Sequence, residues 1–172
     1  HDLAQAYQAI DRLHEAGLIY DAHIMTGVAG KGRGMENAEA LAQFLNRTNP
    51  AHVVNFSMFL HKEVPLYQDI RQGTFVPADE LETIREEYHL IERIAPEKAG
   101  ANILYDGFHD FIHVRVRGHL PGDKEKMLAK LNGIIQEYEG KEPVYSFVQG
   151  ECPDLEYCDD GKAVWDMDRK TS

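Results

Sequence analysis

Between Tyr105 and Leu120 the chain reads YDGFHDFIHVRVRGHL, and residues able to bind a metal or an anion recur at alternate positions. His109, His113, Arg115, Arg117 and His119 are odd-numbered, while Phe108, Ile112, Val114, Val116 and Leu120 are even-numbered. That alternation predicts a half-exposed antiparallel strand or ribbon. Imidazoles suit zinc or iron, but strand residues four apart stand ~13 Å from one another, too far to share an ion. The stripe therefore reads as a solvated face, and no metal ligand is assigned. A second signal is GKGRG, Gly30 to Gly34, which precedes a helical pattern. Backbone N–H groups at such a helix start can hold a phosphate or carboxylate, although the Gly-Lys-Ser/Thr ending of a P-loop is missing. A plain surface turn is an equal reading. Cys152 and Cys158 lie among Glu151, Asp154, Glu156, Asp159 and Asp160, acidic surroundings that raise a thiol's pKa and lower its reactivity. They read as part of an ordinary tail, and no Ser-His-Asp or Cys-His nucleophile pattern occurs.

The elements that must position these residues follow from periodicity. His1 to Ala16 predicts an amphipathic helix ended by Gly17. Leu18 to Thr26 predicts a buried strand, Met35 to Asn46 a helix, and His52 to Leu60 a second, nearly continuous apolar strand. Lys62 to Pro77 reads as irregular. Ala78 to Ile94 predicts a long helix whose carboxylates, over 79–97, form its solvated side. After the histidine-rich ribbon comes a helix from Asp123 to Tyr138, then an acidic tail. Alternation of strand and helix points to a parallel α/β architecture.

Parity within the two strands is informative, since side chains alternate in direction. On the first, Asp21, His23 and Met25 share a face; on the second, Val53, Asn55, Ser57, Phe59 and His61 do. Each strand thus has an apolar face for helices and a second face with polar groups. Asp21, His23, Asn55 and Ser57 are expected to line a ligand cavity, where a substrate could satisfy some of their hydrogen bonds; bonding among themselves is the other solution.

The chain has 172 residues, 43% hydrophobic and 27% charged, with a formal net charge of −11. One domain with a sizeable core fits that length. The negative charge argues against nucleic acid as the main partner, and no apolar run approaches the ~20 residues of a membrane span. Two cysteines and no recognisable signal peptide suit a reducing cytoplasm. His1 enters a helical pattern at once, which leads us to expect a fragment whose beginning lies upstream.

The ordered set HEAGLIYDAHIMTGVAG, MENAEALAQFL, NPAHVVNFSMFL and VPLYQDIRQGTF, over about residues 1 to 95, resembles the C-terminal half of the radical S-adenosylmethionine (SAM) superfamily. Within it, the branch of iron-sulfur oxidoreductases with coproporphyrinogen oxidase-like and tRNA-modifying enzymes is the most similar. The resemblance implies a partial (β/α) barrel over residues 1–97 and a C-terminal α+β extension over 98–172. It implies that Met25, Thr26 and Gly27, with Phe59, Leu60 and His61 from the next strand, bind SAM, while Asp21, His23, Asn55 and Ser57 face the substrate. The family's Cys-x-x-x-Cys-x-x-Cys motif is absent, and Cys152 and Cys158 cannot replace it, because a four-iron cluster of this kind takes three thiolates and leaves one iron to SAM. The 4Fe-4S cluster is thus expected in the part of the same protein upstream of His1, and this chain alone is expected to be inactive. The family usually runs from its glycine turn straight into Glu, whereas here KGRGM intervenes before Glu36. The alternatives are a self-contained α/β domain binding a phosphate or nucleotide at GKGRG, and a non-enzymatic interaction module.

Overall fold

The computed structural model describes residues 2–147 and the backbone of two short paired strands, Cys158–Asp159 and Lys162–Ala163. The order of elements is α1 (Leu3–Glu15), β1 (Asp21–Thr26), α2 (Gly34–Thr48), β2 (His52–Ser57), α3 (Pro65–Gln72), α4 (Glu80–Arg93), β3 (Ile103–His109), β4 (Val114–Leu120) and α5 (Lys124–Tyr138). Local chemistry accounts for the boundaries. Asp2 and Gln5 form a capping box at the start of α1, and Asp79 caps α4 by accepting from the Glu82 N–H at 2.8 Å. At the C-terminus of α3, Gly73 adopts φ +72°, a conformation glycine enters without strain.

One four-stranded sheet runs in the order β1-β2-β3-β4, with the first three strands parallel and β4 antiparallel to β3. The described residues are therefore α/β, with an open, mostly parallel sheet and no closed barrel. The sheet is continuous across position 97/98. Its core joins Ala22, Val53, Ile103, Tyr105, Val116 and Leu120 of the strands to α2 (Ala38, Ala42, Leu45), α4 (Ile84, Leu90, Ile91) and α5 (Met127, Leu131). Among the described residues no helix covers the opposite face. A second cluster of Leu60, Tyr67, Ile70, Tyr145 and Phe147 sits past the end of β2, where Leu60 bridges Phe147 and its N–H donates to the Ser146 carbonyl at 2.6 Å. No helix among the described residues is long and apolar enough to cross a membrane.

Four expectations change. β1 begins at Asp21, and Leu18 and Ile19 before it are exposed, so 18–26 is not one buried strand. The segment 62–77 is not wholly irregular, because Pro65 at the first helical position starts α3. β2 stops at Ser57, since Met58 to Leu60 turns to meet the 146–147 segment. The run 105–120 is a hairpin whose four-residue turn, 110–113, resets the alternation. In β4 the parity is as expected, with Val114, Val116 and Leu120 buried and Arg115, Arg117 and His119 exposed. In β3 it inverts: His109 pairs with Val114 and so lies on the covered face.

Candidate functional site

The acids of α4 are not all on its solvated side, although Glu92 is exposed as expected. Glu80, Glu86 and Glu87 are buried, and Glu80 and Glu87 fall at the spacing of Ile84 and Ile91, one stripe facing the sheet. Burying a carboxylate is costly without partners, and the strands supply them. His109, fully enclosed, places Nε2 2.9 Å from Glu87 Oε2 and Nδ1 3.4 Å from Glu80 Oε2. Glu87 Oε1 also accepts from the Tyr105 hydroxyl at 2.9 Å and the Asn55 amide at 3.2 Å. Glu80 Oε1 accepts from Ser57 Oγ at 3.1 Å and from Ser146 Oγ. Gly107 has no side chain because a Cβ there would strike Glu87 Oε1. Burial by itself lowers the pKa of His109, but the hydrogen bonds and charges of Glu80 and Glu87 outweigh it and raise the value to about 9. The imidazole is therefore an imidazolium at neutral pH, hydrogen-bonded to Glu87 and ion-paired with Glu80. Burial, reinforced by Glu87, holds the Tyr105 phenol well above its ordinary pKa, so it stays a neutral donor.

A neighbouring carboxylate frames the glycine turn at the C-terminal end of β1. Glu86 Oε2 accepts the Gly27 N–H at 3.0 Å, and Oε1 accepts the Asn37 amide at 2.5 Å. Burial raises the pKa of Glu86, with both hydrogen bonds opposing the rise. Gly27 has φ +86°, and a Cβ on it would come within 2.8 Å of Thr83 Cγ2. The glycine is thus needed for packing against α4. Four of the five backbone donors of the GKGRG turn are likewise engaged: Gly30 to the Gly27 carbonyl, Lys31 to the Val76 carbonyl, Gly32 to Glu82 Oε1 and Arg33 to the Gly30 carbonyl. The Arg33 guanidinium pairs with the exposed Glu36 at 2.7 Å. An incoming phosphate would have to displace these bonds in the presence of Glu82 and Glu86.

The register divides the expected substrate set. Asp21 aligns with His52, His23 with Val54 and Met25 with Phe56, whereas Asn55 aligns with Ile24 and Ser57 with Thr26. Asn55 and Ser57 point under the helices to Glu87 and Glu80, while Asp21 and His23 are exposed on the open face. The polar groups of the two strands therefore do not share one cavity; the covered pair bonds to α4 instead.

The expected SAM-binding set divides as well. Met25 lies half-buried on the open face, and Phe59 is 51% exposed just beyond β2. His61 is half-buried. Thr26 is enclosed, and Leu60 is 3% exposed beneath Tyr145 and Phe147. The Met58 N–H donates to the Thr26 carbonyl at 2.9 Å, which brings the ends of β1 and β2 together. Among the described residues no group of three or more His, Cys, Asp or Glu is arranged to hold a metal ion; Cys152 lies outside them, and of Cys158 only the backbone is described.

On the open face three rows cross the sheet. Nearest the strand C-termini of β1–β3 run Met25, Phe56, Phe108 and Arg115; next come His23, Val54, Asp106 and Arg117; then Asp21, His52, Leu104 and His119. Phe56 and Phe108 stack with centroids 5.5 Å apart, and the Arg115 guanidinium lies 4.7 Å from the Phe108 centroid. Both oxygens of Asp106 accept from Arg115, at 2.8 and 2.7 Å, and Arg117 stands 3.6 Å away. The Arg115 hydrogen bonds hold the Asp106 carboxyl below its usual range. Residue parity alone missed these rows because it does not give the pairing of strands. No family model, curated protein or solved structure matches the chain.

Proposed function

We propose that the chain forms the late βα units of a radical SAM oxidoreductase, with the helix-free face of its sheet turned toward the interior of a partial barrel. One observation carries this reading: a parallel sheet is ordinarily covered on both faces, yet among the described residues no helix covers β1–β3 on the side that bears Met25 and Phe56, and Phe59 is exposed at the strand ends. In open α/β sheets ligands bind at strand C-termini. Met25 and Phe59 fit the adenine of SAM as apolar, partly exposed surfaces, and the resemblance of the first 95 or so residues favours that ligand.

A cluster held upstream of His1 would supply the reductive cleavage of bound SAM. The residues of this chain bind, orient and exclude water. Met25 and Phe59 pack on the adenine, and Phe56 keeps the adjoining surface dry. Glu86 and Asn37 fix the turn after β1, so that Met25 is presented in one position. His23 and Asp21 stand further down the open face, where polar groups of a substrate would meet them. Asn55 and Ser57 act indirectly, by holding α4 against the strand ends.

The test uses the natural full-length product purified without oxygen. About four irons per chain and a broad band near ~400 nm are expected, together with calorimetric binding of SAM. Replacing Met25 and Phe59 together by Ala is expected to weaken SAM binding about tenfold or more, given the apolar area removed, with the circular dichroism spectrum unchanged. A colourless, iron-free full-length protein, or unaltered SAM affinity in the double variant, defeats the proposal.

A further inference from the structure

The row nearest the strand ends is graded in chemistry: thioether, phenyl, phenyl, guanidinium, one from each strand. From β1 to β4 it spans three inter-strand spacings, ~14 Å. Its cationic end is organised in advance. Arg115 is pinned by two hydrogen bonds to Asp106 and by the Phe108 ring, so little side-chain freedom is left to lose on binding. Arg117, in the next row, shares the same carboxylate. Two guanidiniums against one carboxylate leave a local surplus of one positive charge, in a protein whose formal net charge is −11. His119, exposed two positions further along β4, stands on the same side. The apolar end is accessible, with Phe56 37% exposed.

We infer that this row is the recognition surface for a substrate with a flat apolar body and one anionic group, about 10–14 Å from end to end as the strand spacing sets it. The flat body lies along Phe56, beside Met25, stabilised by ring contacts. The acid is held at Arg115 and Arg117, at the edge of the sheet remote from β1. The substrate's apolar end thus meets the SAM side, and the anion fixes which end arrives there. In calling the ligand a substrate the inference rests on the radical SAM reading; the binding surface itself does not.

The probe is 1-pyrenebutyrate, titrated calorimetrically into the full-length product, with 1-pyrenebutanol and butyrate as the neutral and non-aromatic controls. Pyrenebutyrate is expected to bind, and each control about tenfold more weakly or not at all. Phe56→Ala and Arg117→Gln are each expected to weaken pyrenebutyrate about fivefold to tenfold. Arg117→Gln should leave pyrenebutanol unaffected. Arg117 is exposed, so that variant keeps the fold even if Phe56→Ala does not. Absence of binding, equal binding of acid and alcohol, or indifference to Arg117→Gln overturns the inference. Iron and SAM are assayed on the same preparation: iron-free protein that still binds the probe through Arg117 removes the radical reading and leaves the surface standing. Iron-loaded protein that ignores the probe does the reverse.

Discussion

His109 combines charge and burial more severely than any other histidine among the described residues. Its folded-state pKa of about 9 lies above the ordinary histidine value of 6.5. The folded protein therefore holds a proton that the unfolded chain releases first. The resulting stabilisation is complete below pH 6.5 and is lost as pH rises through about 9. From a difference of that size it amounts to about 3 kcal/mol. Urea denaturation at pH 6, 7.5 and 9 is expected to show wild-type stability falling across the series. His109→Gln should be about 3 kcal/mol less stable at pH 6, with the gap closing by pH 9, because Glu80 and Glu87 lose their counter-charge in both proteins. A constant gap would mean that the ring is neutral. The spacing of Glu80 and Glu87 with Ile84 and Ile91 was visible in the sequence, and it could have flagged both acids as inward-facing. The burial of His109 was not visible, because it depends on where the 110–113 turn reverses the chain.

At the scale of elements, α4 does two jobs. Its apolar residues seal the core, and its acids tie the strand ends: Glu80 to β2 through Ser57, Glu87 to β2 and β3, and Glu86 to the turn after β1. A helix that satisfies so many strand-end groups cannot slide, and this fixes the height of Met25 relative to Phe59. α5 is less optimised. Gly133 lies in its exposed middle, and a Cβ added there would meet no atom within 4 Å. Gly133→Ala is expected to raise stability by about 0.5–1 kcal/mol, read as a higher midpoint in thermal melting; a decrease would show that the helix bends there. The helices α1, α2, α4 and α5 and the strands β1 and β2 were legible from periodicity and caps, whereas β3, parallel to β2, was hidden in a run read as one antiparallel ribbon. α3 was not, since Val64 offers no side-chain cap and only Pro65 and Gly73 mark its ends.

For the whole molecule, the sheet has two unlike faces, one sealed by helices and one bearing the Met-Phe-Phe-Arg row. Alternation in the sequence showed that faces exist; which face takes the helices was settled by the register, through Asn55 and Ser57. The short strap Val144–Phe147 packs at the strand ends. The Glu80 N–H donates to the Val144 carbonyl at 2.8 Å, and Tyr145 and Phe147 bury Leu60. A chain ending at Pro143 is expected to be less stable than one ending at Phe147 by at least about 3 kcal/mol, from the two aromatic side chains returned to water. Equal urea midpoints would show that the strap is dispensable. The strap also bears on synthesis. Until Ser146 and Phe147 have left the ribosome, Glu80 lacks its last partner and Leu60 its cover, although all four strands of the sheet have already been made. A nascent chain must therefore hold four strands and a charged helix in an unfinished arrangement, which leaves apolar surface at Leu60 uncovered late in translation.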